Sequence, residues 1–397
     1  MNLKTEKLYE TDAYLSGFSA RVESSVRERN GHFLTVLNKT AFYPEGGGQP
    51  FDIGKLGTVN VLAVHEKDGI IYHTTEESLE VGMSVTGEID WKRRFSFMQN
   101  HTGEHIVSGI IKKLFEADNI GFHMGSDAVT IDFACDFTEE DLLQIEKLAN
   151  EVVYANVPVT VCWPEKPELE TMAYRSKKEI NGDVRIVSVP DCDVCACCGT
   201  HTAKTGEIGV IKLLSAQKYK GGSRISMLCG ERALTDYDYK NKWVRDLSIL
   251  LSAKQPLVVD ALTQVLNENA ALKQQLAAIQ NRFFQYKAHL YAAKTGRICI
   301  VEEGLTQGEL QKFCLTVLEN APECVFAAVF AADEKNRKMF KYAISSSKID
   351  VRPLSKDLNA SFNGRGGGKK NLVQGTITGE LSDIKSVLSD IELPESI

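Results

Sequence analysis

Two pairs of metal-binding side chains, each spaced four residues apart, limit the folds open to this chain more than any other feature. His101 and His105 lie in HTGEH, whereas Cys197 and His201 lie in CCGTH. Side chains at positions i and i+4 share one helix face, so each pair can reach a single ion. Three imidazoles and one thiolate suit zinc. The fold must therefore bring two distant segments together, unless the histidines are core residues beside an incidental cysteine.

The number of protein ligands decides what such a metal does. Four ligands close a tetrahedral zinc and make it structural, whereas three ligands and a water leave it catalytic. Cys195 and Cys198 are alternative sulfur ligands in the same segment. HTGEH also fits the inverted zinc-protease signature, with Glu104 as the general base. That interpretation leaves the second pair without a role.

The composition places the chain among globular proteins and bounds its partners. It has 397 residues, of which 43% are hydrophobic and 25% charged, which suits two or three domains. The sequence contains no uninterrupted apolar run of transmembrane length and no secretion signal, so we expect a cytoplasmic protein without a membrane partner. In a reducing cytosol, a tight cysteine cluster is more often metal-binding than disulfide-bonded.

The net charge of -7 argues against a generally basic nucleic-acid-binding surface. Any RNA contact must then use local basic patches. The candidates are Lys218, Lys220 and Arg224 in QKYKGGSR, and Arg365, Lys369 and Lys370 in GRGGGKK. Solvated loops without a ligand are the alternative interpretation of each patch.

The first two segments of the chain are predicted to form an α+β architecture. Residues 1–90 are β-rich, with hairpin turn signals at Asn30-Gly31 and Asp68-Gly69, which favours a β-barrel-like subdomain. Residues 91–240 are predicted to form the α+β domain that binds the metal. This domain combines helices near 95–117 and 139–155 with the strands AVTIDFAC, VRIVSV and IGVIKLL, and the second helix is predicted to begin at the capping signal Thr138-Glu139-Glu140-Asp141.

Residues 241–292 are predicted to form a long helix with a heptad seam. The seam consists of Val258, Leu262, Val265, Asn269, Leu272, Leu276, Ile279, Phe283 and Tyr286. A coiled coil between two chains and a long helix packed on its own chain both explain it. Residues 293–397 alternate strands and helices around a glycine-rich loop, which indicates a small α/β domain. A homodimer through residues 258–286 or through this last domain is the expected protein partner.

A second glycine-rich segment, TAFYPEGGGQPFDIG, follows a predicted strand near the N-terminus. Gly46, Gly47 and Gly48 allow the backbone to approach a ligand closely and to gather several N–H donors in one concavity. The segment lacks the ending of a nucleotide-binding P-loop and the βαβ context of a dinucleotide site. A plain hairpin loop is the alternative.

FYPEGGGQP, HTGEH, CCGTHTAKTGEIG and GGSRISMLCGERA, in this order, closely resemble the alanyl-tRNA editing proteins, free-standing relatives of the editing domain of alanyl-tRNA synthetase. These motifs cover about residues 1–235. The heptad helix and FNGRGGGKKNLVQG resemble the C-terminal domain of the synthetase, here with a more basic loop, so the chain resembles the long form of the family. We find no segment that resembles the class II aminoacylation core.

The resemblance implies hydrolysis of mischarged Ser-tRNA(Ala), with Gly-tRNA(Ala) as a further candidate substrate, and zinc as the cofactor. It implies that the zinc ligands are His101, His105, Cys197 and His201, and that Thr40, Gly46, Gly47, Gly48 and Gln49 line the aminoacyl pocket. Thr40 is the expected partner of the serine hydroxyl. His123 and Glu104 are the candidate acid–base groups, although the place of Glu104 beside His105 turns it off the metal-facing stripe. A tRNA-binding or dimerisation module with a structural zinc is the non-catalytic alternative.

Overall fold

The computed structural model describes residues 4–176, 183–333 and 338–389. The chain divides into two compact units, Met1–Asp246 and Leu247–Ile397. The finer division at residues 90, 240 and 292 remains a prediction.

The first unit begins with a closed six-stranded barrel, which confirms the expected β-barrel-like subdomain. Its strands are joined in the order β2-β3-β7-β6-β5-β8. Asp68 and Gly69 have φ of 53° and 79° at the β6–β7 turn, as the hairpin signal predicted. The elements in chain order are β1 (Glu6–Lys7), α1 (Leu8–Thr11), β2 (Gly17–Arg27), β3 (Phe33–Leu37), β4 (Lys39–Thr40), β5 (Gly54–Leu56), β6 (Val59–Lys67), β7 (Ile70–Thr75) and β8 (Ser84–Ile89).

The second part of this unit is α+β. One sheet has the order β14-β15-β10-β9 and another the order β11-β12-β13. The predicted capping signal is confirmed at Thr138, whose hydroxyl accepts a hydrogen bond from the backbone N–H of Asp141. The elements are α2 (Trp91–Phe115), β9 (Asn119–Met124), β10 (Val129–Phe133), α3 (Glu139–Ala155), β11 (Thr160–Cys162), α4 (Lys166–Thr171), β12 (Ile186–Val189), β13 (Asp193–Ala196), a 3₁₀ turn (Thr205–Ile208), β14 (Ile211–Tyr219), β15 (Gly222–Cys229) and α5 (Gly230–Leu250).

A buried ion pair joins α2 to the barrel. Arg94 is 0% exposed and Asp52 is 1% exposed. The Arg94 guanidinium binds both carboxylate oxygens of Asp52 and donates to the backbone oxygen of Ala41 at 2.7 Å, while Asp52 accepts from the N–H of Tyr43 at 2.7 Å. The first turns of α2 and the two ends of the glycine-rich segment are thereby held together.

The second unit packs helices on a mixed five-stranded sheet of order β16-β17-β18-β20-β19. Most of the sequence GRGGGKK, which we expected to be a loop, forms the edge strand β19, because each of its residues from Arg365 to Lys369 pairs with β20. The elements are a 3₁₀ turn (Gln255–Leu257), α6 (Val258–His289), β16 (Gly296–Glu303), α7 (Gln307–Asn320), β17 (Cys324–Ala332), β18 (Met339–Ser345), α8 (Arg352–Ser361), β19 (Arg365–Lys369), β20 (Leu372–Thr378) and α9 (Leu381–Ser389).

The heptad seam of α6 lies on the surface. Leu272, Leu276 and Ile279 are 63%, 58% and 58% exposed, and only Phe284 and Ala288 of this helix are buried. Packing of the seam on its own chain is therefore not observed, and the coiled coil remains a prediction. Among the described residues, no single helix is long and apolar enough to cross a membrane. Taken together, α5 and the helical segment 255–289 would be, by length and composition only.

We predict that Arg94→Met strongly destabilises the first unit, because it leaves the Asp52 carboxylate buried without its cation. The free energy of unfolding in urea should fall by about 3–5 kcal/mol. Arg21→Met removes an exposed pair with Glu23 and should cost less than about 1 kcal/mol. Equal effects of the two changes would contradict a central role for the buried pair.

His73 gives the barrel a predicted pH dependence. Complete burial lowers its pKa to about 4. Between the ordinary value of about 6.5 and this value, the unfolded chain takes up a proton that the folded chain does not, so His73 lowers stability as the pH falls through this window, by roughly 3 kcal/mol in total. Unfolding free energies at pH 7 and pH 4 should therefore differ less in His73→Gln than in the wild type. His65→Gln, at an exposed barrel histidine, should keep the wild-type difference.

Candidate metal centre

The two predicted ligand pairs meet inside the first unit. His101 and His105 lie on the buried face of α2, and Cys197 and His201 lie in the loop after β13. One donor atom from each of these residues lies within 4.8 Å of all the others. The structure thus forms a three-imidazole, one-thiolate group from the residues that the spacing indicated.

The distances within the group match a tetrahedral ion. Cys197 Sγ lies 3.4 Å from His101 Nε2 and 3.8 Å from His201 Nε2. Zn–S and Zn–N bonds of about 2.3 and 2.0 Å at a tetrahedral angle place sulfur and nitrogen about 3.6 Å apart. The donor set and its spacing therefore fit zinc, and the peptidase interpretation is wrong in treating Cys197 and His201 as spare.

Hydrogen bonds fix the ring orientation of both α2 histidines. His101 Nδ1 lies 2.9 Å from Gln49 Oε1, and His105 Nδ1 lies 2.9 Å from Asp193 Oδ2. Both oxygens only accept, so each Nδ1 carries the hydrogen and each Nε2 lone pair turns toward the cluster. Arg175 holds Asp193 in turn, with two hydrogen bonds of 2.6 and 2.7 Å.

The cluster stabilises the thiolate, which is the form of cysteine that binds metals. Burial raises the pKa of Cys197, but the imidazole of His101 and hydrogen bonds from His101 and His105 outweigh burial and hold that pKa well below its ordinary value. Burial lowers the pKa of His201 to about 3, so this imidazole is neutral and able to bind a cation. Burial also lowers the pKa of His105, but Asp193 and Cys197 outweigh it and raise that pKa well above the ordinary value, so a cation that binds must displace the proton from His105 Nε2.

Gly199 is required by the close approach of the ligand loop to α2. A Cβ atom at this position would lie 2.1 Å from Cε1 and 2.4 Å from Nδ1 of His101. Any side chain would therefore displace a ligand ring. Close packing against His101 therefore explains why this position of CCGTH is a glycine.

The glycine-rich segment reaches the centre through Gln49. Its Oε1 accepts hydrogen bonds from His101 and from the N–H of Thr200 at 3.1 Å, and its amide donates to the Thr200 hydroxyl at 2.9 Å. Gly46 and Gln49 exchange backbone hydrogen bonds, so their N–H groups are not available to a ligand. Gly48 packs on Phe122, where a Cβ atom would meet the ring at 2.5 Å.

The Thr40 hydroxyl is buried in the barrel and hydrogen-bonded there. The whole residue is 0% exposed. His73 Nδ1 lies 3.1 Å from the Thr35 carbonyl oxygen and must donate to it, so Nε2 accepts the Thr40 hydroxyl at 2.9 Å. The Phe42 N–H donates to the same hydroxyl at 3.1 Å. The Thr40 hydroxyl thus already has two protein partners, and its contact with a serine hydroxyl remains a prediction.

The two acid–base candidates lie in different surroundings. His123 is exposed, whereas its neighbour on β9, Phe122, stacks on His101 at 5.0 Å, so alternation along the strand turns His123 away from the cluster. Glu104 is buried, with one oxygen 4.0 Å from His105 Nε2 and the other accepting from Ser108 at 2.7 Å. Glu104 thus lies beside His105 but outside the quartet, and its role as a base remains a prediction.

The other predicted residues lie outside the quartet. Cys195 is buried beside His105 and Asp193, and Cys198 is exposed. Lys218 and Lys220 are exposed at the tip of the β14–β15 hairpin, whereas Arg224 binds the carboxylate of Asp132 at 2.6 and 2.8 Å. In the second unit, Arg365, Lys369 and Lys370 are exposed on and beside β19.

Comparisons with known proteins match this architecture in three places. Residues 6–93 match the model of class II (A) tRNA synthetases, residues 184–226 the second additional domain of threonyl and alanyl tRNA synthetases, and residues 292–392 the DHHA1 domain. The first match coincides with the barrel.

Whole-chain comparison gives the decisive similarity. The chain is 28% identical to the alanyl-tRNA editing protein AlaX-L of Pyrococcus horikoshii, over 96% of this chain and 97% of that protein. The chain thus resembles an alanyl-tRNA editing protein over nearly the whole length of both chains. It is also 28% identical to the alanine–tRNA ligase of Pyrococcus abyssi, over 98% of this chain and 43% of the ligase. It is 39% identical to the ligase of Halobacterium salinarum, over 58% of this chain and 27% of the ligase.

The chain thus spans less than half of the alanine–tRNA ligases that it matches over most of its own length. Among solved structures, the C-Ala domain of Aquifex aeolicus alanyl-tRNA synthetase matches 24% of this chain and 93% of that domain at 15% identity. Its TM-score of 0.22 is too low to carry any argument.

Three residues of this site were not identified by the sequence analysis. Asp193 and Arg175 orient His105, and Arg185 donates to backbone oxygens of the ligand loop. A ligating histidine usually donates its second ring N–H to an acceptor such as a carboxylate. That rule would have drawn attention to Asp193 in CDVCACC; no comparable signal marks either arginine.

We predict that Cys197→Ala lowers the zinc content of the purified protein, because it removes the only thiolate of the quartet. The affinity for zinc should fall by more than about tenfold, measured by competition with a chromogenic chelator. Cys198→Ala changes an exposed neighbour and should bind zinc like the wild type. Loss of zinc in Cys198→Ala with retention in Cys197→Ala would contradict the assigned ligand.

Proposed function

We propose that this protein is a zinc-dependent hydrolase that removes serine from mischarged Ser-tRNA(Ala), with Gly-tRNA(Ala) as a further substrate. The observation that carries the proposal is the quartet of His101, His105, Cys197 and His201 in a chain similar over its whole length to an alanyl-tRNA editing protein. The quartet lies where Gln49 joins the glycine-rich segment to the ligand loop.

The chemistry of the substrate explains why a separate hydrolytic site is useful. An alanine-activating site cannot readily exclude the smaller glycine, and it rejects serine imperfectly because serine adds only a hydroxyl. Differences of this size are worth about 1–3 kcal/mol, so a second site that hydrolyses wrong products improves accuracy. The editing site must then recognise a structural difference between alanine and the wrongly attached amino acid.

The residues of this chain perform the binding and orienting steps. A zinc ion held by three members of the quartet would keep one open position and would supply Lewis acidity for ester hydrolysis there, whereas a zinc held by all four would only position the end of the tRNA. Gln49 and Asp193 hold the two α2 imidazoles in the tautomer that ligates. Of the two acid–base candidates, Glu104 lies nearer to the quartet than the solvent-facing His123, and Ser108 and Asn119 fix its carboxylate.

Contacts with the RNA backbone are proposed for the exposed basic residues. At the tip of the β14–β15 hairpin, Lys218 and Lys220 flank Tyr219, and Lys220 Nζ lies 5.1 Å from the Tyr219 ring centre. Exposed lysines beside an aromatic ring suit phosphates and an unpaired base. The charge of Arg224 is offset by Asp132, so we assign Arg224 to hairpin structure rather than to phosphate binding.

The test is deacylation of Ser-tRNA(Ala), Gly-tRNA(Ala) and Ala-tRNA(Ala) by the wild type. Serine should be released rapidly while alanine is retained. Cys197→Ala should lower the rate of serine release by roughly 100-fold or more, the scale seen when charge stabilisation at a reacting ester is lost. Cys299→Ala, an exposed cysteine of the other unit, is the matched control and should retain the wild-type rate.

Each other outcome has a definite meaning. Binding of the tRNA without release of any amino acid would overturn the hydrolase and favour a binding module with a structural metal. Equal release of serine and alanine would overturn the editing role. Cleavage of peptides would revive the peptidase alternative.

A further inference from the structure

A cavity of about 580 Å³ lies in the first unit between the first turns of α2, the β9–β10 turn and the first half of α5. Among the described residues that line it, none is a metal ligand or belongs to the glycine-rich segment. Arg93 on its α2 side precedes His101 by eight residues, which corresponds to about 12 Å along the helix. The cavity is therefore separate from the metal quartet.

Arg232 of α5 lines this cavity with a half-buried guanidinium. Its Nη2 donates to the backbone oxygens of Gly125 at 2.9 Å and Ser126 at 2.7 Å, which anchors the group on the β9–β10 turn. Among the described residues, its other N–H groups have no hydrogen-bond partner and no carboxylate forms an ion pair with it. Burial lowers the pKa of Arg232, whereas a bound carboxylate, that of Asp132, raises the pKa of Arg224. Arg232 is thus a fixed cation without a bound carboxylate.

Arg93 provides a second fixed cation at the cavity. Its guanidinium lies 4.7 Å from the centre of the Phe97 ring and 5.9 Å from that of the Phe51 ring. Its Nε and Nη2 lie 3.4 Å from the Phe51 backbone oxygen, and within the described part of the chain no carboxylate pairs with it. Two anchored guanidinium groups with unused N–H donors suit the oxygen atoms of a phosphate, because little side-chain entropy is lost when it binds.

Four carboxylates also line the cavity, and each has a partner within the protein. The pairs are Glu231 with Lys92 at 2.6 Å, Asp236 with Lys240 at 2.5 Å, Asp90 with the backbone N–H of Arg93 at 3.0 Å, and Asp127 with the Ser126 hydroxyl at 3.1 Å. Two of the four charges are therefore neutralised by lysines. The carboxylates leave the guanidinium groups of both arginines open to an anion.

An exposed aromatic ring completes the cavity. Tyr239 lines it and is 59% exposed. An exposed ring next to fixed cations is typical of sites for single-stranded nucleic acid, where a base stacks on the ring and the cations contact phosphates. The volume also lies within the range of about 300–1,000 Å³ that is usual for sites of small organic ligands, and one nucleotide is of this class.

We infer that this cavity binds one unpaired nucleotide that precedes the aminoacylated end of the RNA, with its phosphate on Arg93 and Arg232 and its base on Tyr239. The identity of the RNA rests on the proposed function. The separation along α2 means that this nucleotide is not the one that carries the amino acid. Because Leu228 lines the cavity, the site lies at the opposite end of β15 from the β14–β15 hairpin tip and is distinct from the RNA contacts proposed there.

The experiment measures binding of uncharged RNA, so that hydrolysis is not required. The probes are uncharged tRNA(Ala), the same RNA shortened by its unpaired 3′ nucleotides, and adenosine 5′-monophosphate. Affinities are measured over a series of salt concentrations for the full-length wild type, Arg232→Gln and Tyr239→Ala. The matched controls are Arg21→Gln, at an exposed arginine of the barrel, and Tyr237→Ala, at a tyrosine of α5 that is 62% exposed and does not line the cavity. Melting temperature and zinc content are measured on every preparation.

Arg232→Gln and Tyr239→Ala should each bind the intact tRNA at least about fivefold more weakly than the wild type, because a charge-assisted phosphate contact or a stacked base is lost. Both controls should bind like the wild type. The loss should disappear with the shortened RNA, which lacks the nucleotide. When Arg93→Gln is added to Arg232→Gln, the slope of log affinity against log salt should fall by about 0.7, the value for one single-strand phosphate.

Three results would overturn the assignment. The first is wild-type affinity of Arg232→Gln and Tyr239→Ala for the intact tRNA. The second is an equal loss with the shortened RNA, which would place the contact elsewhere on the RNA. The third is Arg232-dependent binding of the monophosphate with unchanged affinity for tRNA, which would make the cavity a site for free nucleotides. If the variants lose tRNA affinity as expected but the wild type does not release serine, the hydrolase proposal fails and the nucleotide site stands.

Discussion

The ion pair of Arg94 and Asp52 is the contact on which the site depends. It is fully buried, and its partners come from the first turn of α2 and from the end of the glycine-rich segment. Two buried charges cost several kcal/mol of desolvation, and here six hydrogen bonds to carboxylate and backbone groups offset that cost. The pair fixes the segment that carries Gln49 against the helix that carries His101. The orientation of the His101 ring therefore depends on an ion pair between two residues that are not metal ligands.

The ligands of the metal quartet are held by neighbouring side chains, which are in turn held by others. Gln49 and Asp193 touch the ligands, Arg175 touches Asp193, and Gly199 leaves room for the His101 ring. Each step is a short hydrogen bond or a close packing contact between segments far apart in the chain. Such a site holds its geometry because Gln49 and Asp193, which orient the ligand rings, are themselves buried and hydrogen-bonded.

Local signals in the sequence predicted the parts of the fold that depend on near neighbours. The capping box at Thr138, the Asp68-Gly69 turn and the four-residue spacing of the ligands each involve residues within one or two turns of each other. What the sequence could not provide depends on distant partners. The edge strand at Arg365–Lys369 is a strand only because β20 pairs with it, and glycines carry no strand propensity of their own. The partners of Thr40, and the placement of Glu104 near His105, likewise follow from tertiary packing.

The contact between Gln49 and Thr200 joins residues 151 positions apart. Closing so long a loop costs entropy that only the finished barrel and the docked helix can repay. The ring of His101, which Gln49 orients, is therefore fixed when folding of the first unit is nearly complete, and not at its start. A cation therefore finds all four ligands together only in the folded first unit. In a partly folded chain it meets only the two flexible pairs, one on α2 and one in the ligand loop.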